Sequence, residues 1–453
     1  MALPLSKNQE IQLHIDSVTS EGSGVGRFDG MAVFVSGTAA GDTVTAHIIK
    51  VKKTYAVGIV KDIITPSPDR TDVDCPSFRS CGGCSFRHIS YEAEKRIKTG
   101  WVKDAFLRIA HIDVPVREIV TANTIRYRNK AQYPVGFDKG IVAGFYAQKS
   151  HRIINSADCA LQPTEFADIV DTVKNWMTEY KITPYSAETG QGLIRHIYIR
   201  KGFATGEIMV CLVANGSKLP YSDSLCQNLF KIDGVKSIIL NENREKTNVI
   251  LGKKCITLGG EDCIEDILCG IRVRISPLSF YQVNRDGAEL LYKKAAEYAS
   301  LSGDETVLDL YCGAGTIGLS MADKAKKVIG VEIVPEAIED AKKNAKINKI
   351  ENCEFYCMDA GEASKMLKER AIRPDVIVLD PPRKGCSRDV LEYAVQMAPQ
   401  KIVYVSCNAS TLARDCEILK ELGYTTHEVT PVDMFPRTAH VECVVLMSRD
   451  EKI

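Results

Sequence analysis

The sequence predicts an α/β protein in three parts, whose carboxyl-terminal part is a doubly wound, mainly parallel sheet. Three observations lead to this prediction. From about residue 271 onwards, short Val- and Ile-rich strands alternate with helical stretches, the order that builds a parallel sheet. Residues 8–64 contain short alternating apolar runs broken by Gly, Asp and Ser, the pattern of a five-stranded β-barrel. Between these parts, helical and strand-like stretches are mixed, which predicts a central α+β section.

The length of the chain and one linker-like stretch set the predicted domains. A chain of 453 residues exceeds what one hydrophobic core usually holds, so several domains are expected. The stretch TPSPDRTD at 65–72 has two prolines and little apolar content, which is typical of a linker. In the central section we expect a helix over 91–110 and a β-hairpin over 193–214. The predicted domains are therefore 1–64, 65–270 and 271–453.

Composition narrows the class of protein. The chain is 45% hydrophobic and 26% charged with no net charge, which is ordinary for a globular protein. It has no apolar run of membrane-spanning length and its start has no signal-peptide character, so we expect no membrane association. Sixteen cysteines in so long a chain are too sparse for a disulfide scaffold. We therefore expect a cytoplasmic protein, and nothing in the sequence indicates an obligate protein partner.

One segment is more basic than the rest. Between Arg87 and Arg152 there are 13 Lys and Arg residues against 6 Asp and Glu. Aromatic residues are interleaved with the basic ones over 125–137, in IRYRNKAQYPVGF. Basic side chains meet phosphates and aromatic rings stack on bases, so this segment favours nucleic-acid binding over a merely solvated face.

A cysteine cluster opens the central section. Cys75, Cys81 and Cys84 follow a C-x5-C-x2-C pattern in CPSFRSCGGC, and Cys159 is the best-placed fourth ligand in the same section. The two-residue gap lets neighbouring thiolates converge on one centre. Zinc and an iron–sulfur cluster both accept four thiolates, and the residues themselves do not decide between them.

A glycine turn predicts a nucleotide site in the last part. In VLDLYCGAGTIGL, a strand runs into Gly313, Gly315 and Gly318 and then into a helix. Such glycines let the backbone approach a ligand at the carboxyl edge of a sheet. Glu332 ends the next strand and has the chemistry to hold a ribose diol. NAD(P) enzymes and S-adenosylmethionine (SAM) enzymes both use this arrangement, so both remain open at this point.

Two further strand ends carry reactive groups. Asp380 ends one strand in VIVLDPPRKG, and Cys407 ends the next in KIVYVSCNAS. Ligands of open α/β sheets bind at the carboxyl ends of strands, so both side chains are expected to face one crevice. The sequence offers no partner for hydride transfer, whereas Asp-Pro-Pro is a feature of methyl transfer to bases. This favours SAM over NAD(P).

Four motifs together resemble a known family. DLYCGAGTIGL, LDPPRKGC, VSCNASTLARD and AHVECVVLM, in this order, resemble the bacterial RNA uracil-C5 methyltransferases, most closely the branch that methylates 23S ribosomal RNA. The resemblance covers nearly the whole chain. It implies a TRAM-type RNA-binding barrel, a central iron–sulfur domain and a Rossmann-like SAM-dependent methyltransferase domain. Relatives that methylate cytosine carry a second cysteine after the paired prolines, where this chain has Arg383.

The resemblance also implies roles for single residues. The four cysteines named above match the family's 4Fe–4S ligands, which leaves zinc as the alternative. Cys407 matches the nucleophile, and Glu442 matches the base that removes the C5 proton. We expect neighbouring positive charge, such as that of Arg383, to lower the pKa of the thiol, and desolvation to raise that of Glu442. The cofactor-binding residues implied by the resemblance and the glycine turn are Gln282, Tyr311, Gly313, Gly315, Glu332, Asp359 and Asp380.

These residues predict transfer of a methyl group from SAM to C5 of uridine in 23S ribosomal RNA. Within the family, transfer RNA is the alternative substrate. A non-catalytic RNA-binding factor for ribosome assembly is the alternative from another class of protein, and the presence of both Cys407 and Glu442 speaks against it.

Overall fold

The computed structural model describes residues 4–156 and 158–450. Its amino-terminal sheet consists of β1 (Glu10–His14), β2 (Ser17–Val18), β3 (Ser23–Phe28), β4 (Met31–Ser36), β5 (Thr43–Val51) and β6 (Tyr55–Thr65). The strand order is β1-β5-β6-β4-β3-β2. Since β1 and β2 are two parts of one bent segment, the chain itself joins the two edges of the sheet. The sheet closes around buried Ile, Leu and Val side chains, and with the bent segment counted once it is the predicted five-stranded barrel.

The central section is built on a seven-stranded sheet in the order β10-β9-β8-β11-β12-β13-β14. Helices α2 and α3 pack their apolar faces on this sheet. The predicted hairpin is present as β11 and β12, and the predicted helix over 91–110 is α1, capped by the Ser90 hydroxyl. The elements are α1 (Tyr91–Arg108), β7 (Val120–Thr121), β8 (Lys130–Phe137), β9 (Ile141–Tyr146), β10 (Ile153–Asn155), α2 (Glu165–Glu179), β11 (Ile194–Lys201), β12 (Ile208–Ala214), α3 (Ser222–Leu229), β13 (Val235–Glu242) and β14 (Lys254–Gly260).

The last part begins with a hairpin and continues as alternating strands and helices. The predicted domain boundary after residue 270 falls within the turn of this hairpin. The elements are β15 (Ile264–Leu268), β16 (Ile271–Ile275), α4 (Arg285–Ala299), β17 (Thr306–Leu310), α5 (Thr316–Met321), a 3₁₀ turn (Ala322–Lys324), β18 (Lys327–Glu332), α6 (Pro335–Ile347), β19 (Cys353–Cys357), α7 (Ala360–Glu369), β20 (Val376–Leu379), α8 (Arg388–Gln396), β21 (Lys401–Ser406), α9 (Ala409–Glu421), β22 (Tyr424–Asp433) and β23 (Glu442–Arg449).

The large sheet has the order β19-β18-β17-β20-β21-β23-β22-β7. Strands β17 to β21 are parallel, β23 is antiparallel to both of its neighbours, and β7 is a short edge strand from the central section. Alternate residues of one strand enter different cores: Tyr404 packs on one face of the sheet and Val403 on the other. The predicted doubly wound sheet is therefore confirmed. Within the described ranges, no helix has the length and apolar character of a membrane span.

The loop between β22 and β23, residues 434–441, is held by the central section. Lys98 on α1 is fully buried and donates to Asp433 at 2.8 Å, while pairing with Glu94 at 2.7 Å. The carbonyl of Arg437 accepts from the amides of Ser85 and Phe86 at 2.8 and 3.1 Å. Because β23 starts directly after this loop, the segment that carries the cysteine cluster contacts the chain leading into Glu442.

Candidate active site

The glycine turn after β17 has the geometry that a close ligand requires. Gly315 has φ 76°, and a Cβ there would lie 2.9 Å from the Phe355 ring, so only glycine fits. Tyr311 also has a positive φ, of 70°, which is costly for a side chain of this size and is typical of a functional turn. Glu332, at the end of β18, accepts from the amide of Gly313 at 3.3 Å. The predicted turn and its predicted acid are therefore in contact.

Asp309 is a buried acid beside this turn that the sequence reasoning missed. Its Oδ2 accepts from the amide of Gly318 at 3.0 Å. Its Oδ1 is buried and has no hydrogen-bond partner in the described part of the chain. Burial raises the pKa of Asp309 to about 8. The signal was a single acid among apolar residues of a buried strand, four positions before Gly313.

Asp380, Cys407 and Glu442 come together at one edge of the large sheet. Asp380 directly follows β20 and Cys407 directly follows β21, which are parallel neighbours. Glu442 is the first residue of β23, and Ser406 pairs with Cys443. This register places Cys407 and Glu442 at adjacent positions on neighbouring strands. Three strand ends thus deliver one thiol and two carboxyl groups to the edge at which the glycine turn also lies.

Burial raises the pKa of all three groups, and repulsion from neighbouring carboxylates adds to the rise for Glu442 and Cys407. Burial raises the pKa of Asp380 to about 7. It also raises the pKa of Glu442 to about 8, with Asp380 adding to the rise and Arg383 opposing it. The predicted direction for Glu442 is therefore confirmed.

The pKa of the Cys407 thiol is raised overall, although the predicted lowering effect of Arg383 is present. Burial raises the pKa of Cys407 to about 11, and the charges of Glu442 and Asp380 act in the same direction. Arg383 lowers this pKa, as expected, but its effect is outweighed. A nearby positive charge is therefore the main influence favouring the thiolate at this site.

Two other predicted cofactor residues occupy defined positions near the crevice. The backbone carbonyl of Gln282 accepts from the side chain of Asn129 at 2.8 Å, which links this loop to the central section. Asp359 follows β19 and caps α7: its Oδ1 accepts from the amide of Glu362 at 2.8 Å. The carboxylate of Asp359 therefore has a helix-capping role besides the cofactor role predicted for it.

The four predicted cluster cysteines lie near one another. Burial raises the pKa of Cys81, Cys84 and Cys159, and other cysteines of this set raise each of them further. No group of three or more His, Cys, Asp or Glu side chains in residues 4–156 and 158–450 is arranged to hold a metal ion. Within the described residues, the four thiols are thus near one another without forming an arrangement that by itself favours zinc or an iron–sulfur cluster.

Arg87 adds a cation to this cysteine set. Its guanidinium pairs with Asp74 at 2.5 Å, and the pKa of Arg87 is raised because Asp74 and the neighbouring Cys84 outweigh the opposing effect of burial. Its Nη2 is buried without a hydrogen-bond partner among the described residues. Four clustered thiols beside an unsatisfied buried donor fit an anionic iron–sulfur cluster, whose inorganic sulfides can accept such a bond.

Comparison with known proteins identifies the class. Residues 270–450 match the tRNA (Uracil-5-)-methyltransferase family, and residues 4–61 match the TRAM domain. An RNA methyltransferase of Clostridium tetani is 46% identical over 449 residues, 98% of each chain. One of Halalkalibacterium halodurans is 45% identical over 448 residues, again 98% of each chain.

A solved structure shares the whole architecture. The tRNA (uracil-54, C5)-methyltransferase of Pyrococcus abyssi, in complex with S-adenosyl-L-homocysteine, has a TM-score of 0.78 and 26% identity, covering 96% of this chain and 100% of that chain. Fold, crevice and relatives define a SAM-dependent RNA methyltransferase. The chain belongs to the RNA uracil-5-methyltransferase family and carries an amino-terminal TRAM domain.

Proposed function

We propose that the protein methylates C5 of a uridine in 23S ribosomal RNA through a covalent bond between Cys407 and C6 of the base. One observation carries the proposal: a thiol and a buried carboxyl group occupy adjacent strand positions beside the glycine turn. The cysteine cluster favours ribosomal over transfer RNA as the substrate. Since either RNA is a cytoplasmic substrate, the proposal places the protein in the cytoplasm.

Cys407 and Glu442 divide the chemistry between them. C5 of uracil is a poor nucleophile, and addition of the Cys407 thiolate to C6 turns the ring into an enolate that is nucleophilic at C5. SAM, when bound, supplies a methyl group on a sulfonium centre. The methylated C5 still carries its proton, which Glu442 removes as the general base, and the C6–S bond then breaks by β-elimination. Asp380 would bond the uracil edge.

The cofactor and the RNA would use different parts of the chain. Backbone groups of Gly313 and Gly315 would lie against the cofactor, and the Glu332 carboxylate would hold its ribose diol, with Gln282, Tyr311, Asp359 and Asp380 as further contacts. The target uridine must leave its stack before C6 is accessible. The TRAM barrel and the basic segment from Arg87 to Arg152 would hold the surrounding RNA by phosphate contacts and stacking.

The substrate is tested by methylation of defined transcripts with labelled SAM. We expect 23S ribosomal RNA to gain 5-methyluridine and transfer RNA transcripts to remain unmodified, as read by nucleoside mass spectrometry. Exclusive modification of transfer RNA would contradict the ribosomal substrate, and the Pyrococcus abyssi relative, described as a tRNA (uracil-54, C5)-methyltransferase, keeps this alternative open. Methylation of neither RNA would favour a non-catalytic assembly factor.

We further propose that Cys75, Cys81, Cys84 and Cys159 hold a 4Fe–4S cluster that shapes the RNA-binding surface. Protein purified without oxygen is expected to carry about four iron atoms per chain. Cys81→Ser should lose this iron and bind RNA more weakly, while its affinity for SAM stays unchanged. Cys255→Ser, at an exposed cysteine of β14, is the matched control. Full iron content and RNA affinity in Cys81→Ser would overturn this proposal.

A further inference from the structure

The loop that follows β20, residues 380–387, is gripped by the helix that follows the candidate nucleophile. The carbonyl of Arg383 accepts from the hydroxyl of Thr411 at 3.2 Å and from the Asn408 side chain at 3.4 Å. Arg414 donates to the carbonyls of Lys384 and Cys386 at 3.0 and 3.2 Å. Helix α9 and its N-cap residue Asn408 therefore bind the backbone of this loop at Arg383, Lys384 and Cys386.

A buried carboxylate strengthens these hydrogen bonds between α9 and the loop, which together are called the grip below. Asp415 on α9 is completely buried, and its Oδ2 accepts from the amide of Cys386 at 2.8 Å and from the hydroxyl of Tyr404 at 2.6 Å. Its Oδ1 accepts from Nε and Nη2 of Arg414 at 2.8 and 2.6 Å. Both oxygens thus face only donors, so an amide in this place would turn its NH2 group towards one pair of them.

The loop approaches α9 too closely for a side chain at its tip. Gly385 has φ 74°, and a Cβ there would lie 2.5 Å from Oδ2 of Asp415 and 2.6 Å from Nη2 of Arg414. The glycine of the D-P-P-R-K-G-C motif is therefore required by the contact with Arg414 and Asp415, which lie 29 and 30 residues further along the chain.

This contact holds the backbone from which the Arg383 side chain extends. Arg383 is exposed and has no carboxylate partner among the described residues, so its contacts with the rest of the protein are through its backbone carbonyl. The ionisable groups whose charges act on or beside the Cys407 thiol are Asp380, Glu442, Cys443 and Arg383, and Arg383 is the cation of this set. If the loop shifted, the thiol would still face the carboxyl groups of Asp380 and Glu442 but would lose the nearby charge of Arg383.

We propose that Asp415 and Arg414 are positioning residues that hold the Arg383 charge beside the Cys407 thiol. This inference deepens the proposed function, because it rests on Cys407 as the nucleophile. Neither residue touches the reacting atoms. They act through the loop backbone, and loss of the grip removes the main influence that favours the thiolate.

Alkylation of Cys407 in the absence of RNA and SAM tests the proposal. Below its pKa the thiol reacts in proportion to the thiolate fraction, which falls tenfold for each unit by which the pKa rises. We expect Asp415→Asn to slow iodoacetamide modification of the Cys407 peptide about three- to tenfold at pH 8.5. The rate ratio of anionic iodoacetate to neutral iodoacetamide should also fall, because Arg383 attracts the anion, whereas simple loosening of the site would leave this ratio unchanged.

Three further variants make the result decisive. Arg383→Gln should reproduce both effects, and adding Asp415→Asn to it should cause no further change. Arg414→Gln, at a side chain that is 44% exposed, tests the same grip if Asp415→Asn does not fold. Arg388→Gln is the matched control, because the Arg388 guanidinium pairs with Glu392 and with Glu421 of α9 and, among the described residues, donates no hydrogen bond to the loop backbone.

Two outcomes would overturn the positioning role: unchanged alkylation in the Asp415 and Arg414 variants, or effects that add fully to those of Arg383→Gln. Failure of the wild-type protein to form a covalent complex with 5-fluorouridine-substituted RNA in the presence of SAM would instead contradict the proposed function. The two failures are distinguishable because alkylation requires neither RNA nor SAM.

Discussion

Cys407→Ala is expected to lower methyl transfer to RNA by more than about a thousandfold, because the uracil ring is then never activated at C5. SAM binding should remain at the wild-type level, since the proposed contact of the thiol is with the uracil ring and not with the cofactor. Single-turnover transfer of a labelled methyl group measures the first effect, and calorimetric titration measures the second.

Cys255→Ala is the control for Cys407→Ala, because this cysteine is exposed on the sheet of the central section, away from the crevice. It should methylate RNA at the wild-type rate. If Cys407→Ala retained substantial methyl transfer, C5 would be activated without this thiol. The proposed mechanism would then be wrong.

Glu442→Gln is expected to stop the reaction at a later stage. The glutamine keeps the size of the side chain but cannot remove the C5 proton, so the methylated RNA should stay attached to Cys407. Turnover should fall by about 10² to 10⁴-fold. Denaturing electrophoresis with ordinary RNA would then show a covalent complex that the wild-type protein resolves.

The pH dependence of RNA release from Cys407 identifies the general base that removes the C5 proton. Burial raises the pKa of Glu442 to about 8, and only the ionised carboxylate can accept the proton. Release of the RNA by the wild-type protein should therefore speed up as the pH rises towards about 8 and level off above it. In Glu442→Gln this rise should disappear. Glu428→Gln, at an acid of β22 that pairs with Arg117, is the control and should keep the rise of RNA release with pH. A rise that persists in Glu442→Gln would assign the role of general base to another residue.

The sequence predicted the elements of the large sheet because each strand is a short apolar run ending in a polar residue. These ends alone place Glu332, Asp380 and Cys407 at one edge of the sheet. The glycine turn was equally readable, since Gly313 and Gly315 follow a buried strand directly. Local patterns therefore sufficed to place these candidate groups at the edge of the sheet.

Contacts between distant residues could not be read from such patterns. In the sequence, Arg414 and Asp415 resemble an ordinary charged pair on a helix, and only packing shows that Asp415 is buried against the Asp-Pro-Pro loop. The pairing of Lys98 with Asp433 joins residues 335 positions apart. The pKa of Cys407 depends on burial and on the charges of Glu442, Arg383 and Asp380, and burial outweighs the lowering effect predicted for Arg383.

The central claim is a covalent bond between Cys407 and C6 of uracil, and 5-fluorouridine-substituted RNA tests it most directly. The fluorine at C5 cannot leave as a proton, so Glu442 cannot complete the reaction after methyl transfer. Incubation of the protein with this RNA and SAM, followed by nuclease and protease digestion, should yield a Cys407 peptide carrying a methylated fluorouridine. Turnover on ordinary RNA without any such adduct, or an adduct on a different cysteine, would contradict the account.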